Sequence, residues 1–196
     1  YVYQEVLSEV IIMQLGDRNE SLVEQVGSQH LAGLAQVGDD NFLQVQQLGQ
    51  KDLVFSIQNG AENYANINQV HSDSWEAAQQ GISENDVFSY QSGIYNTLNL
   101  RQIGDENTTS VYQHYNNNQA FIIQDQFPFG SGLNATLVLQ DGINNWISTL
   151  QAGSQHMARS LQIGNDNTIS TTQQGLGNNV SVLQIGNFNA FTATQG

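Results

Sequence analysis

A glutamine falls on every eleventh residue of this chain, and few folds accommodate so strict a period. The series runs Gln14, Gln25, Gln36, Gln47, Gln58, Gln69, Gln80, Gln91, Gln102, Gln113 and Gln124. After a five-residue insertion it resumes with Gln140, Gln151, Gln162, Gln173, Gln184 and Gln195. The 196 residues contain 27 glutamines, which at random would fill only about two of these sites, so the chain is read first as a repeat. Five residues after most of the glutamines stands an asparagine: Asn19, Asn41, Asn63, Asn85, Asn96, Asn107, Asn118, Asn134, Asn145, Asn167, Asn178 and Asn189. The exceptions are His30, Asp52, Ser74 and His156. Glycine usually follows the glutamine by two, so the unit is Gln-x-Gly-x-x-Asn-x5-Gln.

Between each asparagine and the next glutamine, polar and apolar residues alternate, as in Asn41-Leu43-Val45-Gln47 and Asn118-Ala120-Ile122-Gln124. A period of two places these residues on one side of a strand. The four residues between glutamine and asparagine hold the glycine and most charges, which reads as a tight arc with permissive backbone angles. Two strand-and-arc units close one 22-residue rung, which predicts an all-β, amyloid-like parallel two-sheet β-solenoid. Seventeen strands make eight and a half rungs, a column roughly 40 Å long. A buried amide is costly unless its donors and acceptor are paired, and an identical amide one rung away supplies the partners. All seventeen glutamines and the twelve asparagines are therefore expected to form inward ladders.

The period runs through residues 1–196 with no visible linker, so a single domain is expected. Residues 125–133, around Pro128, form a longer arc. Between residues 69 and 91 the glycine sites are His71 and Ile82 and an inward site is Glu76, so that rung should be the least ideal. Tyr1 and Tyr3 stand at the phase of an earlier inward face and are expected in a partial strand.

With 18 acidic against 4 basic residues the formal charge is −14, which argues against nucleic acid or an anionic membrane as partner. No cysteine is present, so no disulfide stabilises the fold. The longest aliphatic run, Val10 to Met13, is far too short for membrane insertion, and no secretory signal opens the chain. No zinc spacing, phosphate loop or nucleophile motif occurs, and the four histidines are dispersed, so no cofactor and no catalytic residue is assigned. A carbohydrate-active or surface-binding monomeric solenoid is the alternative from another class. An ice-binding threonine array is too broken, since Thr168-Ser170-Thr172 and Thr192-Thr194 do not persist rung after rung. On alternate arcs the residue before the asparagine reads Arg18, Asp40, Glu62, Glu84, Glu106. Solvated turns are the default reading, and Asp40, Glu62, Glu84 and Glu106 are the candidates for a bound divalent cation. Leu53, Phe55, Ile57, Trp75, Phe88, Tyr90, Tyr112, Phe121, Ile123, Leu137, Leu139 and Trp146 are apolar residues at outward positions.

The intact units from Gln162 through Asn167 to Gln173, and from Gln184 through Asn189 to Gln195, resemble the curlin repeat. The resemblance extends over nearly the whole chain. It implies an extracellular bacterial fibre of the curli type, with outer-membrane secretion machinery and a nucleator subunit as partners and a role in biofilm matrix and adhesion. The regular repeats and acidic charge point to a major subunit. The terminal strands keep the pattern, so their free edges are expected to pair with further copies, making the chain its own principal partner. An odd number of strands would turn each stacked copy by half a turn.

Overall fold

The computed structural model describes residues 8–70, 85–104, 106–125 and 133–196, together with the backbone of residues 2–3. The alternating segments form two parallel sheets. One takes the odd strands β1 (Val2–Tyr3), β3 (Glu20–Ser28), β5 (Phe42–Gln50), β7 (Tyr64–Val70), β9 (Thr97–Ile103), β11 (Gln119–Asp125), β13 (Trp146–Ser154), β15 (Thr168–Leu176) and β17 (Ala190–Gln195). The other takes the even strands β2 (Glu9–Leu15), β4 (Leu31–Val37), β6 (Leu53–Ala61), β8 (Asp86–Ile94), β10 (Thr108–His114), β12 (Ala135–Asp141), β14 (Met157–Ile163) and β16 (Asn179–Ile185). Successive strands alternate between the sheets, so two strands and two arcs make a rung. This is a β-solenoid of about eight turns.

Parallel pairing in register puts like residues over like. Leu43, Ala65 and Leu98 stack in one inward column and Val45, Ile67 and Leu100 in the next, all buried. The facing sheet contributes Ala32, Val54 and Val87, with Ser56 and Ser89 among its inward residues. Only two or three small side chains per strand fill the interior, so amides close each rung at both corners.

One departure from the eleven-residue lattice reorganises the stack. Gln58 of β6 pairs with Gln91 of β8, and Gln69 of β7 with Gln102 of β9, so one repeat is passed over in both sheets. Gln80, Glu84, Trp75 and Glu76 fall outside the described residues, and the glutamine ladder closes past Gln80. Among the described residues sixteen strands, β2 to β17, therefore carry ladder glutamines, making eight rungs. The insertion before Gln140 is absorbed without a break, because Gln113 pairs with Gln140 and Gln124 with Gln151; residues 126–132 of that arc are outside the described residues. β1 carries Val2 at the register of Val23 and Tyr3 at that of Glu24. Val2 thus takes the register of Val23 that the lattice assigned to Tyr1, and Tyr3 falls beside Glu24 where the lattice put it at Gln25.

Candidate functional site

The chemistry of this chain lies in its ladders, and their polarity defines the two ends of the column. Each glutamine donates Nε2–H to Oε1 of the next rung, as from Gln14 to Gln36 (2.6 Å), Gln36 to Gln58 (2.9 Å) and Gln173 to Gln195 (3.2 Å). The second amide proton crosses the interior to a strand-entry carbonyl of the opposite sheet, as from Gln36 to Glu20 and from Gln58 to Phe42. The asparagine ladder runs the other way. Asn63 donates both its backbone N–H and Nδ2–H to Oδ1 of Asn41 below (3.1 and 3.0 Å), and Nδ2–H also reaches the Gly93 carbonyl above (3.0 Å).

The arc glycine is fixed by the same contact. Gly38 has φ of +113°, and a Cβ there would lie 2.0 Å from the Gly60 carbonyl oxygen. The residue before each asparagine is also left-handed, as at Arg18, Asp40, Glu62 and Phe188, a conformation that costs a non-glycine residue free energy. Asparagine then anchors each arc to the one above.

Unpaired partners of opposite kind follow at the two ends. At the β3 end, Gln25 Oε1 is buried with no hydrogen-bond partner among the described residues. At the β17 end, Gln195 accepts from Gln173 and would donate to a rung beyond. The pure asparagine ladder ends at Asn19 and Asn189, where Asn189 donates downward to Asn167 and its Oδ1 is the acceptor for a further rung. One end therefore requires what the other offers.

The family model of the Curlin associated repeat matches residues 8–38, the span from Ser8 through β4 that holds Gln14, Gln25 and Gln36. Residues 8–38 carry a Curlin associated repeat. Strands β5 to β17 continue the register of the matched residues. The curlin-repeat family is structural and non-enzymatic, and the repeat and the solenoid are consistent with a curli-like structural subunit. No curated protein matches the chain.

The second asparagine ladder is mixed, and the exceptions His30, Asp52 and His156 all fall on it. It reads Ser8, His30, Asp52, Asn85, Asn107, Asn134, His156, Asn178, along the entry to the even sheet. Where asparagine occupies successive rungs the pattern above recurs, as from Asn107 to Asn85 (3.0 and 3.1 Å). His30 Nε2 lies 3.2 Å from the Val26 carbonyl, which only accepts, so the proton sits on Nε2. Nδ1 then accepts the Asp52 backbone N–H at 3.3 Å. Asp52 Oδ2 also lies 3.3 Å from Nδ1, with both side chains fully buried. Burial holds the His30 imidazole below its usual range, against the pull of the Val26 and Gly49 carbonyls. Higher up, Asn178 donates its N–H to His156 Nδ1 at 3.2 Å, the same junction with an amide in place of the acid.

The acidic series is divided by the passed-over repeat. Asp40 and Glu62 share the arc edge leading into the odd sheet, whereas Glu106 precedes Asn107 and β10 and lies on the other edge. Arg18 neutralises the first of them, with Nε and Nη2 donating to the Asp40 carboxylate at 2.5 and 2.6 Å, and this pair holds the Asp40 carboxyl below its usual range. Tyr95 hydrogen-bonds Glu62, which holds the phenol above its usual range. Among the described residues no three of His, Cys, Asp or Glu come together. Of the cation candidates, Asp40 and Glu62 thus stand on one edge and Glu106 on the other, and Glu84 lies outside the described residues.

The outer faces of the two sheets differ. On the even sheet one register column reads Met13, Ala35, Ile57, Tyr90, Tyr112, Leu139, Leu161, Leu183, and beside it Phe55 stacks on Phe88 with centroids 5.8 Å apart. The corresponding central columns of the odd sheet present Gln44, Gln46, Asn66, Asn68, Asn99, Ser148, Ser170 and Thr172, interrupted by Leu22, Phe121, Ile123 and Leu150, with Phe42 stacked on Tyr64 at the margin.

Proposed function

We propose that this chain is the structural subunit of an extracellular curli-like fibre and that it polymerises by head-to-tail stacking of its solenoid ends, serving a biofilm matrix and adhesion. The observation carrying this reading is the buried acceptor Gln25 Oε1, whose place in the ladder matches a glutamine Nε2–H from a rung below. In a stack, Gln195 of one copy supplies it, and β16 of that copy lies against β2 of the next. Such contacts are heterologous and do not close on themselves, the condition for an open filament.

Because sixteen strands carry the ladder, β2 and β17 lie on opposite sheets. Successive copies then continue without the half-turn expected from seventeen strands. The neighbour's β17 takes the position on β3 that β1 holds in the single chain, so β1 leaves that position on assembly. By resemblance, the nucleator and outer-membrane secretion machinery are further partners.

The open edge of β17 offers a direct test. Thr168 N–H donates to the Asn189 carbonyl one rung on, and by the same alternation Thr192 N–H faces the free edge. Thr192→Pro removes that donor without removing a bond to β15. The purified chain is expected to form thioflavin-positive fibres, whereas Thr192→Pro stays a folded, β-rich monomer. Unimpaired polymerisation of the variant, or a wild-type chain that never forms fibres, would overturn the reading.

A further inference from the structure

We infer that the outer face of the even sheet is a lateral interface, and that its occupant is the same face of a second copy of this chain. The central column from Met13 to Leu183 is apolar or aromatic on all eight strands, and Ile57, Tyr112 and Leu183 are 44%, 47% and 59% exposed. Acidic residues lie only in the columns bordering it, Glu9 and Asp86 on one margin and Asp141 on the other. An apolar centre with a charged rim is the anatomy of a protein interface. One basic residue, Arg159, enters the field.

Three arguments select a second copy. Eight strands about 4.8 Å apart and seven residues of about 3.3 Å each give a face of roughly 850 Å², matching the roughly 800 Å² per partner of a stable complex. The face is periodic along the column, and the surface whose ridges keep that period over its whole length is another such sheet, as in paired-sheet interfaces. Among the described acidic residues only Glu9, Asp86 and Asp141 lie on even strands, so two columns meeting through their even sheets keep most of the negative charge in solvent. Phe55 lies flat over Gly33, where a Cβ would stand 2.6 Å from its ring, leaving the face shallow enough for close approach.

The interface pairs two columns side by side and does not depend on end-to-end growth. The test compares the full chain with Ile57→Lys/Tyr112→Lys/Leu139→Lys on the even sheet and with Gln46→Lys/Asn68→Lys/Thr172→Lys on the odd sheet. Mass per length of fibres by electron microscopy reads pairing, and sedimentation of the Thr192→Pro form reads it without fibres. The wild type and the odd-sheet variant are expected to show two columns, and in the soluble form twice the 21.5 kDa chain mass; the even-sheet variant is expected to halve both values while keeping its β-sheet spectrum. Single columns in the wild type, or pairing retained by the even-sheet variant, overturn the inference. So does binding of zwitterionic lipid vesicles through this face by a chain that does not pair, which assigns the face to a bilayer. Loss of fibres alone, with the soluble pair intact, counts against end-to-end stacking and leaves lateral pairing standing.

Discussion

Replacing Asp52 with asparagine is expected to stabilise the rung it occupies. At this point of the ladder an asparagine would place an Nδ2–H where Asp52 presents Oδ2, 3.3 Å from His30 Nδ1 in a fully buried setting. The protonation pattern imposed by the Val26 carbonyl leaves a lone pair on Nδ1, so an oxygen there meets an acceptor. Asp52 Oδ1 already serves as an asparagine oxygen would, accepting from Asn85 N and Nδ2 at 3.2 and 3.3 Å, and nothing is lost on that side. The Asn178 and His156 junction shows that the same chain accommodates an asparagine over an imidazole, its backbone N–H on Nδ1 and its Nδ2–H on the Gln174 carbonyl. Removing a buried acid and gaining an amide donor is worth about 2 kcal/mol. Because a solenoid opens locally, native-state hydrogen exchange is the suitable assay, and about 2 kcal/mol corresponds to roughly 30-fold slower exchange at the Asn85 amide. The mirror substitution Asn107→Asp, in an all-asparagine context, should accelerate local exchange by a similar factor. Unchanged or faster exchange at Asn85 in Asp52→Asn would refute the assigned donors and acceptors.

Further outcomes follow from other ladder positions. Gln113→Leu removes the bonds to Gln140, Gln91 and the Thr97 carbonyl and should cost about 3–5 kcal/mol, read as a lower denaturant midpoint. Gly38→Ala suffers both its positive φ and the contact with Gly60, whereas at Gly175 a Cβ meets nothing and only φ is adverse; the first should destabilise by at least about 2 kcal/mol more. In the Asp52→Asn background, burial lowers the His30 pKa below its unfolded value, so the unfolded state binds more protons and stability falls as pH drops through about 6.5. Thermal melts from pH 7.5 to 5 should show that loss, and His30→Asn should remove it.

Much of the fold is legible in the sequence because a buried amide specifies its own partner: Gln25, Gln47 and Gln69 could recur in phase only if each lay over the next. What the spacing did not reveal is where the chain skips a repeat. Gln80 keeps the eleven-residue phase perfectly, yet Gln58 bonds Gln91. Counting through Gln80 puts Phe55 and Phe88 on opposite sheets; in the fold they stack. The same miscount separates Ile57 from Tyr90 and Tyr112, and so conceals the apolar face, and it places Glu106 on the edge of Asp40. Ladder polarity was hidden for another reason. Composition names the amides, but only geometry assigns which end is left holding an acceptor and which a donor.

The central claim is that copies stack head to tail through eight complete rungs. Cryo-electron microscopy of the fibres tests it most directly. Strand spacing near 4.8 Å along the axis should be grouped into subunits repeating every ~38 Å, all pointing the same way, with Gln195 of one copy directly below Gln25 of the next. Subunits meeting head to head, or alternating by half a turn about the axis, would contradict it.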